Sequence, residues 1–426
     1  MNNTLKHWRE AATLILTAGC QHLSAIPKST PQGPWHSQQK TTTFDYEVLL
    51  LLRSQSSGFF PNAFVFPGGL AEPSDFSSDW VKVFERHAQK PNFGLGVVKQ
   101  PPYTRPPMFI TDRTKFGSPI PGEVAFRICA IRETFEESGI LLVVPENSSI
   151  EDNQNFMAAY EQDAKAIARW REEVQSDPLR FIEMCKELRC VPNIWALQEW
   201  ANWLTPVPPK NVARRRYDTA FFICCLPRKP YTMDDQKEVT NFKWWTPKET
   251  INESQNNAWI PPPQIYELSR LCNFTHLEDL QRFALHRGLE GCERFCPIII
   301  HAKDGVMSTL PGRRLPRMDV TPQEKEDSGW LEEPGEHQRG EDAVRRLTKE
   351  GIGDELYPKD PDLTGQTHKI YSIDRTVEEV CQDGGSLHRM IIGNRAPQIF
   401  ITTELKYKHV KPQLQQQDDI EPKSQL

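Results

Sequence analysis

The stretch Ala130-Ile131-Arg132-Glu133-Thr134-Phe135-Glu136-Glu137-Ser138-Gly139-Ile140 decides how this chain of 426 residues is read. On a helix, Glu133, Glu136 and Glu137 fall at i, i+3 and i+4 and share one face. Three carboxylates on one stripe repel one another, and Arg132 alone does not neutralise them. A hard divalent cation held by oxygen ligands would. A solvated helix face is the plainer explanation of such a cluster standing alone, but its neighbours in sequence argue for more. Upstream, Val65-Phe66-Pro67-Gly68-Gly69-Leu70-Ala71-Glu72-Pro73-Ser74-Asp75 is an apolar strand running into a Pro-Gly-Gly turn, where main chain approaches a ligand closely. Downstream, Gly139 stands where a helix-ending glycine is expected, and Ile140 to Val144 reads as a buried strand.

Loop, acidic helix and strand in that order resemble the nudix box. Its pattern is Gly, five residues, Glu, seven residues, Arg-Glu, an aliphatic, any residue, Glu-Glu, any residue, Gly, an aliphatic. The second half matches at Arg132-Glu133, Phe135, Glu136-Glu137, Ser138, Gly139 and Ile140, with Thr134 at the aliphatic position. The first half is displaced. Counting from Gly69 puts Asp75 where Glu is usual, and a long interruption precedes Glu123-Val124-Ala125-Phe126-Arg127-Ile128-Cys129-Ala130. Glu123, one residue out of register, is the alternative to Asp75. The broken box is similar to that of the coenzyme A diphosphatase branch of the nudix superfamily. So are the segments Ala125 to Ala130, Ile194 to Leu197, Trp203 to Pro206, Asp218 to Phe222 and Pro261 to Gln264. Of the coenzyme A signature, Arg53-Ser54 and Phe66-Pro67-Gly68-Gly69 agree, while Leu51, Gly58 and Asn62 depart from it.

The resemblance implies an α/β (α+β) nudix fold, a mixed sheet sandwiched between helices and carrying helical insertions. It implies metal-dependent hydrolysis of the diphosphate of coenzyme A and acyl-coenzyme A to 3′,5′-ADP and (acyl-)4′-phosphopantetheine. Mg2+ or Mn2+ would sit on Glu133, Glu136 and Glu137. Arg132 would orient those carboxylates, Gly68 and Gly69 would shape the loop beside them, and Arg53 would meet substrate. The basic run Lys210 to Arg216 either binds the phosphates of coenzyme A, with Arg216 its last member, or is a solvated loop. The general base stays unassigned among Glu123, Asp75 and the three glutamates, since His87, His276 and His286 read as ordinary packing or surface residues. Two other functions compete: a nudix pyrophosphatase acting on ADP-ribose, dinucleotides or capped RNA, and a non-catalytic nudix-fold binding module, which the intact carboxylates disfavour.

Composition narrows the field. A net charge of −6 with 38% hydrophobic residues offers no basic field for nucleic acid or anionic lipid. No stretch reaches the roughly 20 apolar residues that span a bilayer, and Ala11 to Gly19 is too short for a secretory signal, so a soluble intracellular protein is expected. The ten cysteines show no Cys-x-x-Cys pair. The adjacent Cys224 and Cys225 point to opposite faces of a strand, and free buried thiols are expected throughout; Cys292 and Cys296 lack the second ligand pair of a zinc site.

Periodicity places strands at Ala11 to Thr17, Tyr46 to Arg53, Trp195 to Leu204, Tyr217 to Leu226 and Phe242 to Trp245. Helices are expected at Asp79 to Phe84, as a pair over 155–189 split at Asp177-Pro178, from Thr246, and as one long amphipathic element over Pro263 to Leu289. The expected organisation is a nudix domain over 1–312 with insertions at 76–122 and 151–192 packing as a lid or side lobe. A flexible charged insertion over 313–366 and a C-terminal segment over 367–426 follow, the latter regaining short strands. Ser424-Gln425-Leu426 resembles the Ser-Lys-Leu address read by a peroxisomal import receptor. The alternatives are a mitochondrion, through Leu5 to Leu23, or the cytosol.

Overall fold

The computed structural model describes residues 8–20, 43–87, 100, 102–114, 117–147, 164–206, 216–256, 258–310, 371–372, 376, 388–392, 398–401 and 405–413. The apolar run beginning near Ala11 forms β1 (Trp8–Gly19) at the centre of a mixed sheet. Being central, it is buried on both faces: Ala12, Leu14, Leu16 and Ala18 enter one core and Ile15 the other. On one side β1 pairs in parallel with β8 (Arg216–Leu226), which is antiparallel to β7 (Gln198–Leu204), itself bordered by β10 (Arg294–Phe295). On the other side lies the antiparallel β2 (Tyr46–Arg53), followed by β3 (Phe64–Val65). The short β4 (Gly68–Leu70) adds to β1, and β9 (Val239–Trp245) adds to β2.

Helices cover both faces. One core is closed by α1 (Asp79–Val83), α2 (Pro107–Ile110), α3 (Gly122–Ser138), α4 (Ala164–Ser176) and α5 (Arg180–Glu187). The other is closed by α6 (Pro247–Asn256), α7 (Pro262–Leu271) and α8 (Leu277–Gly288). This is the expected mixed sheet between helices. Within the 151–192 insertion, α4 and α5 break at Asp177-Pro178 and bury Trp170, Val174, Phe181 and Met184 against α3, so they are a side lobe on the carboxylate helix. Cys224 and Cys225 enter opposite cores, and the cysteines of the described residues are free.

Three expected elements differ. The strand expected from Trp195 begins at Gln198, because Ile194–Ala196 form a 3-10 helix. Ile140, Leu141 and Leu142 are buried but precede the strand; β5 (Val143–Pro145) pairs with β6 (Cys190–Pro192) in a ladder of its own, away from the main sheet. The left-handed turn at Gly139 throws the chain off under α4 and α5. The single helix expected over Pro263 to Leu289 is broken between α7 and α8. The Tyr46 hydroxyl donates to the carbonyls of Leu271 and Phe274 (both 3.1 Å), and the Asp45 carboxylate accepts from the Leu277 amide (2.7 Å). The start of β2 thus caps the end of one helix and the beginning of the next.

Beyond the main sheet, β11 (Ile298–Ala302) and β12 (Gly305–Thr309) pair with β13 (Tyr371–Ser372), β14 (His388–Ile392) and β15 (Gln398–Ile401). The short strands expected after residue 367 are therefore present. His388 Nε2 meets the Tyr266 hydroxyl at 2.7 Å, and Met390 enters the α7–α8 core. Residues 405–413 then return to that face: the Gln413 amide donates to Ser269 O (2.7 Å), and Asn273 Nδ2 to Lys411 O (2.8 Å). The 313–366 segment and the terminal tripeptide lie outside the described residues. Among the described residues no helix is long and apolar enough to cross a membrane.

Candidate active site

Helix α3 packs its apolar face on β1 and leaves Glu133, Glu136 and Glu137 toward the turn that follows β3. Two glycines allow the approach. A Cβ on Gly69 would lie 2.4 Å from Glu133 Oε2, so no larger residue fits while Glu133 stays where it is. The Gly68 amide donates to Glu137 Oε2 at 2.8 Å, which fixes that carboxylate against the loop. At the helix end, Gly139 takes the left-handed conformation (φ 72°).

Arg132 is fully enclosed and organises the acids around it. Its Nε and Nη2 donate to Asp75 Oδ1 and Oδ2, both at 2.9 Å, in a two-point pair. Nη1 donates to Glu133 Oε1 (2.9 Å) and Glu136 Oε1 (2.7 Å), and Nη2 also donates to Leu70 O (3.0 Å). Asp75 additionally accepts from the Glu72 amide (2.8 Å). The displaced box is therefore whole in space: Asp75 stands beside the arginine where the missing glutamate would be. Glu123 does not. It lies at the opposite end of α3, paired with Arg105, and its separation of fourteen positions from Glu137 puts the two roughly 21 Å apart along the axis. Glu123 is thereby removed as a candidate base or supporting carboxylate.

Arg53 ends β2 with Nη1 3.9 Å from Glu137 Oε1, while its Nε (2.9 Å) and Nη2 (2.8 Å) donate to Ser57 Oγ. Arg216 stands elsewhere. It is buried at the start of β8 beside Cys296, and burial lowers its pKa. Thr13 is level with both Gly68 and Phe221, so Arg216, five residues before Phe221, lies roughly 16 Å further along the sheet. Arg216 therefore does not join the groups packed around the glutamates; residues 210–215 of the same basic run lie outside the described residues.

Electrostatics sets the chemistry of the cluster. Burial pushes Glu133 up to about 8, against the opposing pull of Arg132. Burial, then the neighbouring Glu133 charge, holds Glu137 well above the ordinary carboxylate range, and burial raises Glu136 as well. Among the described residues no three carboxylate, imidazole or thiol side chains already surround one point as a ligand set. Arg132 draws one oxygen each from Glu133 and Glu136, and Gly68 takes one from Glu137. The donor set nevertheless fits a hard divalent cation. Three acids on one helix face, each raised chiefly by burial, are the groups whose charged form such an ion would favour.

Sequence reasoning missed three neighbours. Arg171 and Gln175 of α4 hold the main chain of α3, donating from Nε (2.9 Å) and Nε2 (2.8 Å) to Glu136 O. Glu238, exposed just before β9, acts electrostatically on both Glu136 and Glu137. None carries a local pattern, since their roles run through carbonyls or through space.

A family model described as the NUDT19 Nudix domain matches residues 8–271, and a second, described as the NUDT19 C-terminal domain, matches 353–399. The chain is 53% identical to a Xenopus laevis protein named acyl-coenzyme A diphosphatase NUDT19, covering 97% of each chain. It is 42% identical to the Gallus gallus protein of that name, covering 100% of both. With the Homo sapiens protein of that name it shares 36% identity over 95% of this chain and 94% of the other.

Proposed function

The chain belongs to the NUDT19 Nudix family, and from that premise we propose that it hydrolyses the diphosphate bond of coenzyme A and acyl-coenzyme A. The products are 3′,5′-ADP and 4′-phosphopantetheine or its acylated form. The observation that carries the reading is the reassembly of the broken box: Asp75 pairs with Arg132 at two points across the interruption, and Arg132 in turn holds Glu133 and Glu136.

In this reading Glu133, Glu136 and Glu137 hold the divalent ion, Mg2+ or Mn2+. Such an ion, when bound, would supply charge to neutralise phosphate oxygens and to lower the pKa of a water. Arg132 holds Glu133 and Glu136 beside Asp75 without itself reaching substrate, and Glu137 is held separately by the Gly68 amide. The Gly68 amide fixes which oxygen of Glu137 is turned to the loop. Arg53, whose Nη1 lies 3.9 Å from Glu137 Oε1, would meet a phosphate oxygen. Supporting the choice of substrate are the names of relatives that match over nearly their whole length. The test is a purified protein with Mg2+ and a panel of coenzyme A, acyl-coenzyme A, ADP-ribose and dinucleotides, with products identified by mass. Release of 3′,5′-ADP from coenzyme A at a kcat/KM well above that of the other compounds is expected. A preference for ADP-ribose would replace this reading with the general pyrophosphatase one.

Ser424-Gln425-Leu426 serves, in the same reading, as an address for a peroxisomal import receptor. Deleting the three residues should leave hydrolysis unchanged and move the protein to the cytosol. An unaltered peroxisomal pattern after deletion would refute the address.

A further inference from the structure

The carbonyl of Glu136 belongs to the last turn of α3, where carbonyls have no partner within the helix. It is not left to water: Arg171 Nε and Gln175 Nε2 both donate to it, at 2.9 and 2.8 Å. The same two side chains reach a second element. Arg171 Nη1 donates to Asp234 O (3.2 Å), and Gln175 Nε2 lies 3.4 Å from Asp235 Oδ2. Asp235 Oδ1 accepts from the amides of Lys237 (3.0 Å) and Val239 (2.8 Å), and so shapes the turn into β9. The Met233 amide ties this loop to Ser138 O (2.9 Å), and the Ser54 amide ties it to Glu238 O (2.8 Å). Ser54 follows Arg53, whose guanidinium faces Glu137 at 3.9 Å. The contacts close a ring running from the end of the carboxylate helix through α4, the 233–238 loop and the end of β2, back to Glu137.

We propose that Arg171 and Gln175 are positioning residues of the active site, the inserted helix α4 fixing where Glu136 and Glu137 stand relative to the 233–238 loop and Arg53. Packing alone does not explain Arg171. It is 7% exposed, and a methionine of similar volume would fill that space without the cost of burying a charge. What methionine lacks is a rigid fork that holds two main-chain carbonyls of different elements at once. A cation at the C-terminal turn also suits the helix dipole. Helix α4 is on this account a positioning element of the active site.

The inference rests on the metal assignment above but not on the identity of the substrate. The experiment therefore reads Mn2+ binding by calorimetry without substrate, beside kcat, KM and melting temperature, in Arg171→Met, Arg171→Lys and Gln175→Leu. In Arg171→Met we expect Mn2+ to bind at least about fivefold more weakly and kcat to fall about tenfold or more. KM should stay within about twofold and the melting temperature be unchanged or raised. Arg171→Lys should recover part of the loss, and the half-exposed Gln175→Leu should show a smaller weakening of the same kind even if the buried site tolerates no change. Mn2+ affinity equal to wild type in Arg171→Met and Gln175→Leu would overturn the proposal. So would losses that merely follow a lowered melting temperature and vanish on cooling. Should the wild-type protein bind Mn2+ as expected yet spare coenzyme A, the substrate reading fails while this one stands.

Discussion

At the scale of single residues, the site works by holding acids where they are reluctant to ionise. Glu137→Gln keeps the shape and removes the charge of a proposed metal ligand, so turnover should fall at least about a hundredfold. Thermal stability should hold or rise, since a buried carboxylate becomes neutral; near-normal Mg2+-dependent rates would contradict the metal assignment. Glu133 gives a pH test with a defined sign. Its carboxyl is raised in the folded chain to about 8 from 4.5, so between those values the folded state binds more protons than the unfolded one. Its stabilising contribution is complete below 4.5 and disappears as pH rises through 8. A divalent ion held by Glu133 would displace that proton, so the gap in melting temperature between protein with Mg2+ and without it should widen as pH climbs from 6 to 8.5. A gap independent of pH would argue against Glu133 as a ligand. These acids were legible because helical spacing follows from sequence position. The choice between Asp75 and Glu123 was not, because it depends on which of the two the interruption folds back toward Arg132.

At the scale of elements, the carboxylate helix depends on how it ends. Gly139 has φ 72°, a region that costs a residue with a Cβ about 1–2 kcal/mol. Gly139→Ala should lower unfolding free energy in urea by that amount and, by disturbing the turn beneath Arg171, weaken metal binding as well. A change below about 0.3 kcal/mol would mean the turn is not strained. The strands at Tyr46 to Arg53 and Tyr217 to Leu226 could be read from the sequence within a residue, because both are bounded by polar segments and carry unbroken apolar runs. The break between α7 and α8 could not. Its amphipathic pattern continues across Cys272 to His276, and the decisive partners, Asp45 and Tyr46, lie some 230 residues earlier.

At the scale of the whole molecule, the 405–413 segment is part of the structure. His409 sits in the returning 405–413 segment, its ring edge-on to Trp200 at 4.5 Å and 5.8 Å from Phe283. Burial first, then the charges of Arg270 and Arg287, hold its pKa well below 6.5. The unfolded chain takes up a proton there as pH drops past 6.5 and the folded chain does not, so stability is lost on the acid side. The loss approaches about 1.4 kcal/mol per pH unit below 6.5. His409→Gln should flatten that slope between pH 6.5 and 5 when wild type and variant are compared by urea unfolding. Equal slopes would detach this segment from acid sensitivity. The pairing of β1 with β8 has a consequence of another kind, during synthesis. Thr17 meets Cys224 across 207 positions, so at about 5–20 residues per second the first strand waits roughly 10–40 s on the ribosome for its parallel partner. Throughout that interval the nascent chain displays an open strand edge and uncovered apolar faces, and its yield in a cell should depend on a holding chaperone more than on the stability of the finished fold.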